Sequence, residues 1–121
     1  MKADGLWTVL FSETAEIIEN IPVAEQINRG GTLVLINGKI YGGGISYYYA
    51  GTYEYDDSTI SMTIQVKKYN DLVPGIFGIS EGAMFVLFGT VDGDDMKLHG
   101  HPEDDKAKLI FIKAHRQIDI D

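Results

Sequence analysis

Residues 31–69 read GTLVLINGKIYGGGISYYYAGTYEYDDSTISMTIQVKKY, and their alternation decides the fold. Asn37-Gly38 supplies the two positive φ angles that a type I′ hairpin turn demands, so residues 32–36 and 39–43 are expected to pair antiparallel across it. The turn fixes the register: Ile36 faces Lys39, Leu35 faces Ile40, Val34 faces Tyr41 and Leu33 faces Gly42. The Leu33/Leu35/Ile40 face is all apolar whereas the other carries a charge, which sends the first face inward. Gly42 there leaves room or lets the sheet bend. Downstream, residues 47–55 put Tyr47, Tyr49, Tyr53 and Tyr55 on one side, and Asp56-Asp57-Ser58 makes a turn. Ile60, Met62, Ile64 and Val66 then point one way while Ser61, Thr63, Gln65 and Lys67 point the other, the pattern of a strand buried on one face.

Working outward, residues 6–11 form an opening strand with Trp7, Val9 and Phe11 on one face and Leu6, Thr8 and Leu10 on the other. Residues 83–90 are apolar on both faces and are expected to lie more centrally. Asp92-Gly93 is a second hairpin turn signal, followed by a strand over 96–100, a polar loop over 102–106 and a last strand over 108–114. Eight short strands give an all-β chain: an antiparallel up-and-down sheet that removes its edges by closing into a barrel. At 121 residues, one domain is expected. Two connections are longer. In 13–29, Ile17, Ile18 and Ile21 share a helical face, so a short helix fits there until Pro22 interrupts it. In 70–82, Val73, Ile76 and Phe77 either tuck the loop over a barrel end or form a lid or partner surface.

Composition narrows the function. With 18 acidic against 10 basic side chains, the net charge of −8 repels a phosphate backbone and favours a basic protein partner over direct nucleic acid. The absence of Cys excludes disulfides, thiolate zinc sites and cysteine nucleophiles, and fits a reducing cytoplasm. The start, MKADGLWTVLF, alternates rather than forming an uninterrupted apolar run, so neither a signal peptide nor a membrane span is expected.

Catalytic motifs fail on context. Gly78-Ile79-Ser80-Glu81-Gly82 matches G-x-S-x-G, but a nucleophile elbow needs a strand before it and a helix after it, and here a strand follows. Gly42-Gly43-Gly44 lacks both a following helix and the Lys-Ser or Lys-Thr ending of a phosphate loop, and reads as a strand bend. His99 and His101 share a strand face with Lys97, with Asp104, Asp105 and His115 as further donors, but the face reads as solvated. Asp92-Gly93-Asp94-Asp95 lacks the terminal Glu of a calcium loop. No acid/base pair, metal or cofactor is expected, and the chain reads as a non-enzyme.

The acidic group Glu54-Tyr55-Asp56-Asp57 is the main surface feature: either a solvated turn or carboxylates on a rigid hairpin end that steer and pair with an Arg- or Lys-rich protein. Together, DGLWTVLF, LVLINGKIYGGG, YYYAGTYEYDD, VKKYN and FVLFGTV, in that order along the chain, resemble the GrlR family of negative regulators of type III secretion. The resemblance implies an eight-stranded calycin-like, or lipocalin-like, barrel. It also implies a cytoplasmic protein, often dimeric, that binds a transcriptional activator and withholds it from DNA. In that family a run of four acidic residues at a surface hairpin is tied to repression. The matching place here is Glu54-Tyr55-Asp56-Asp57, with Tyr55 interrupting the charge, and the 13–29 connection is longer than the family pattern.

A second class is a carrier, since an eight-stranded barrel either holds one compact apolar ligand or is filled by its own side chains. Leu33, Leu35, Ile40, Ile60, Met62, Ile64, Phe85 and Leu87 would line that interior. The only arginines, Arg29 and Arg116, fall outside the expected strand interiors and leave such a ligand without a clear anchor, although Lys68 has the reach to turn inward.

Overall fold

The Asn-Gly hairpin forms as the residues dictate. Asn37 and Gly38 adopt φ of 51° and 81°, and Leu35 stands opposite Ile40, Leu33 opposite Gly42, with Leu35 and Ile40 fully buried and Lys39 exposed. In the computed structural model, which describes residues 3–12, 30–71 and 82–120, eight strands follow. They are β1 (Gly5–Ser12), β2 (Gly30–Ile36), β3 (Lys39–Gly43), β4 (Tyr47–Asp56), β5 (Thr59–Lys68), β6 (Gly82–Asp92), β7 (Asp95–Pro102) and β8 (Ile110–Asp119). Each pairs antiparallel with its neighbours in sequence, and β8 returns to β1, closing a calycin-like barrel without a free edge. The helix expected within 13–29, residues 72–81 of the second long connection, and Ser80 of the G-x-S-x-G match lie outside the described residues.

Alternation fixes what faces inward. All eight side chains expected to line the interior are buried, and they pack in one cluster with Trp7, Val9, Tyr53, Val91, Met96, Leu98 and the inward face of β8. Each full burial of a Leu, Ile, Phe or Met contributes roughly 1.5–3 kcal/mol, so a one-residue slip of any of these strands would forfeit several such terms together.

Three details depart from the sequence reading. Residues 83–90 do not form a central strand, because a closed barrel has none: Phe85 and Leu87 turn inward, while Met84 and Phe88 are exposed. The β6–β7 turn is Gly93-Asp94, one residue later than the Asp92-Gly93 reading, with Asp92 paired to Asp95. The last strand starts and ends later than 108–114, reaching Asp119, and Pro102 is a buried strand residue rather than the start of the loop.

Up-and-down order places the turns at 37–38, 57–58 and 93–94 at one end of the barrel, with the start of β1 and the end of β8. Arg116 seals that end. Its side chain is 6% exposed, and its guanidinium carbon lies 4.9 Å from the Trp7 ring centre. Nε donates to Asp94 Oδ1 at 3.0 Å, Nη2 to the Gly93 carbonyl at 2.9 Å, and Nη1 to the Asp4 carbonyl at 2.9 Å. The Tyr53 hydroxyl donates to the Asp4 carboxylate, and the Trp7 indole N–H donates to the Ala3 carbonyl at 2.9 Å. At the other end Tyr69 N–H donates to the Ser46 carbonyl at 2.8 Å and Asn70 Nδ2 to the Ile45 carbonyl at 2.9 Å, pinning the β3–β4 connection.

Burial raises the ionisation of two tyrosines to about 12. For Tyr49 the repulsion of Tyr47 and Tyr69 adds to it, and for Tyr53 the hydrogen bond to Asp4 does. Both folded values lie above the unfolded value near 10, so the native state holds these protons more tightly. Their stabilisation is complete below about pH 10 and is lost as pH rises through about 12. A phenolate absorbance titration is expected to show two late tyrosines in the native protein and none in urea. Ionisation of both by pH 10.5, with the fold intact, would contradict the buried placement.

Candidate functional site

The acidic hairpin begins with a backbone requirement. Asp57 and Ser58 take φ of 48° and 76°, the left-handed region that Asp tolerates through local hydrogen bonding and that a two-residue hairpin loop needs. Thr59 Oγ1 donates to the Asp56 carbonyl at 2.7 Å, and Val91 N–H donates to the Ser58 carbonyl at 2.8 Å, tying the turn to β6. The turn backbone is thus held before any partner arrives, and only the carboxylate side chains have freedom left to lose.

The period of two then divides the four residues of the acidic group. Glu54 and Asp56 point outward and are exposed, Asp57 is exposed in the turn, and Tyr55 turns the other way and packs against the core. Three charges therefore share the surface, and Tyr55 supports them from beneath. Among the described residues, no Lys, Arg or His pairs with Glu54, Asp56 or Asp57, whereas Asp94 is engaged by Arg116 and Asp95 by His115 at 3.0 Å.

Register extends the site across the barrel wall. Glu54 stands opposite Ser61, Ser61 opposite Phe88, Phe88 opposite His99, and His99 opposite Phe111. Two pairs nearer the turns, Asp56, Thr59, Thr90, Lys97 and Lys113 form a parallel row. Between these rows lies a shallow open groove whose walls include Glu54 and Asp56 on one side and His99 on the other, with Phe88, Ser61 and Thr90 between them. Phe88 is 52% exposed at its centre. The surface thus combines an uncompensated negative edge, three hydroxyls that donate or accept, and one aromatic face, an arrangement suited to recognition.

The other candidates separate. His99 and His101 share the outer face of β7, but His101 Nδ1 sits 2.6 Å from the Pro102 carbonyl and His115 belongs to Asp95, on another strand. Among the described residues no group of three or more His, Asp or Glu is placed to hold a metal ion. Lys68 continues the parity of Ile60, Met62, Ile64 and Val66 at the end of β5, and pairs with Asp71 at 2.7 Å, a contact that raises its ionisation. Among the described residues no helix is long and apolar enough to cross a membrane.

Two residues escaped the sequence reading. Arg116 was placed outside a strand, yet it continues the inward alternation of Ile110, Ile112 and Ala114; the polar side chain hid the pattern. Phe88 has the parity of outward Met84, opposite to inward Phe85 and Leu87, so one-sided burial assigns it to the surface. No protein-family model matches the chain, and no match to it is found among curated proteins.

Proposed function

We infer that the chain is a non-enzymatic, GrlR-like regulator that acts in the cytoplasm, binds a basic transcriptional activator and keeps it from DNA, in the setting of type III secretion. One observation carries the reading: Glu54, Asp56 and Asp57 are exposed and uncompensated on a hairpin end held by backbone hydrogen bonds, at the place where the resemblance puts its acidic run. Positioned carboxylates accept bidentate Arg contacts and raise the encounter rate with a basic partner, and the chain's net charge of −8 adds to the steering. The same resemblance carries a homodimer. An acid-free outer row of Ile118, Leu6, Val34 and Tyr41, running across four adjacent strands, supports that part.

Reversing the three charges together (Glu54→Lys, Asp56→Lys, Asp57→Lys) is expected to weaken capture of a basic activator by about 100-fold, ~2.7 kcal/mol, with most of the change in association rate and salt dependence. A pull-down and a binding titration at two salt concentrations measure it. Unchanged capture would remove the hairpin from the mechanism. Light scattering on the same samples reads the dimer, and a single-chain mass at working concentration would end that part. For the carrier alternative, the inward side chains pack on one another and Arg116 is committed to sealing the barrel end. Native mass spectrometry tests it: a recurrent bound lipid would favour the carrier over the regulator.

A further inference from the structure

We propose that the groove across β4–β7 docks an amphipathic basic helix of the partner, with an apolar side chain of that helix seated on Phe88 and an Arg or Lys reaching Glu54 and Asp56. This rests on the protein-capture reading and specifies the chemistry of the captured segment.

The helix follows from the closure of the barrel. Extended peptides commonly bind by adding a strand to a sheet edge, where main-chain groups are free. At the floor of the groove Ser61 pairs with Glu54 and Phe88, and Phe88 pairs in turn with His99, so β5 and β6 are paired on both sides there and offer a ligand side chains only. A helix satisfies its own backbone hydrogen bonds, so it can be held by side chains alone.

The anchor follows from exposure. Phe88 presents an aromatic face at the centre of the groove, flanked along β6 by exposed Met84 and half-buried Val86, all three on the outer side. Burying such a face contributes apolar energy that the surrounding charges cannot supply, and anchors of this kind dominate interface energetics. A purely polar basic tail would leave it wet.

Charge then sets the orientation. The row from Asp56 through Thr59 and Thr90 to Lys97 and Lys113 runs from negative on β4 to positive on β7 and β8. The basic side chains of the helix belong over β4, where Glu54 and Asp56 have no basic partner among the described residues. Glu54 and Phe88 are separated by two strand spacings, roughly 10 Å. Two helical turns span about the same length, so the basic residue and the apolar anchor stand at i and i+7, with the helix lying across the strands.

The test uses stapled helices of about 15 residues, long enough to be helical once stapled. One carries Arg and Leu at i and i+7, a second replaces the Leu by Ser, and a third replaces the Arg by Glu. Binding is measured by fluorescence anisotropy and mapped by amide chemical shifts on the full chain. The Arg–Leu helix is expected to shift Ser61, Phe88 and His99, and to bind at least tenfold more tightly than either control. Phe88→Ser is expected to remove that tenfold advantage, and Val86→Ser to reduce it; both side chains point outward, so the barrel remains. Equal binding of the Leu and Ser peptides, no effect of Phe88→Ser, or shifts mapping elsewhere would overturn the docking mode. If charge reversal of the hairpin still abolishes capture of the activator in that event, the capture reading stands without the helix. If charge reversal leaves the Arg–Leu helix bound as before, the capture reading itself falls.

Discussion

Replacing Arg116 with alanine is expected to lower the unfolding free energy by about 3–4 kcal/mol, and the melting temperature by roughly 10 °C or more in a domain of this size. The estimate follows from what the guanidinium does. It neutralises Asp94, donates to the carbonyls of Gly93 and Asp4, and covers the Trp7 ring. Alanine leaves two carbonyls without their donor, each costing about 1–3 kcal/mol where water cannot replace it, and opens a gap over the indole. A buried cation over an aromatic ring contributes up to about 2 kcal/mol more. Arg116→Lys is expected to recover less than half of the loss. An ammonium keeps the charge but cannot reach acceptors on both sides of the planar fork. Trp7 is the only tryptophan, so its emission reports this end directly: urea titration gives the free energy, and a red shift in native Arg116→Ala shows water reaching the ring. A loss below about 1 kcal/mol, with emission unchanged, would mean that the barrel end closes without the arginine.

The same residue marks how far sequence alone reaches. Local chemistry wrote the hairpin at Asn37-Gly38 plainly, because two left-handed residues in succession admit few alternatives, and from its register the inward set of Leu33, Leu35 and Ile40 followed. Ile60, Met62 and Ile64 were equally legible, since polar residues alternate with them without interruption. Arg116 was not, because an inward polar side chain breaks the apolar alternation just where the strand needs two more residues to be recognised. The β6–β7 turn slipped by one because its Gly can occupy either loop position beside an Asp, and only pairing with β7 distinguishes them. The functional surface divides in the same manner. Its carboxylates could be found from composition and turn chemistry, while the neighbourhood of Glu54 and Phe88 arises only when two strand registers are added together. No local pattern carries that sum, because the residues lie far apart in sequence.

Gly89→Ala and Gly51→Ala are expected, with Gly100→Ala, to be among the most damaging single methyl additions in the barrel wall, each costing more than about 3 kcal/mol or preventing accumulation of folded protein. A Cβ at Gly89 would sit 1.8 Å from the Lys97 carbonyl oxygen and 2.9 Å from the Leu98 Cα, and one at Gly51 would sit 2.0 Å from the Thr63 carbonyl oxygen. Each obstacle is backbone of the paired strand, so relief requires moving the strands apart and weakening ladder hydrogen bonds, where a clash with a side chain would need only a new rotamer. Both glycines lie on inward parity, Gly89 between Leu87 and Val91 and Gly51 two residues before Tyr53, at places where the strands approach closely enough for the sheet to coil into a barrel. Gly93→Ala supplies the control. Its added Cβ meets open space, and only its φ of 63° opposes the change, a cost of roughly 1–2 kcal/mol. Urea titrations of the three variants separate steric from conformational cost. If Gly89→Ala and Gly93→Ala lose the same amount, close strand approach is not what requires glycine at the corner. If Gly89→Ala folds but is strongly destabilised, its effect should reach the recognition face as well: Phe88 is the next residue along β6 and His99 stands across from it, so parting β6 from β7 at this point widens the groove and weakens any ligand that depends on the aromatic anchor.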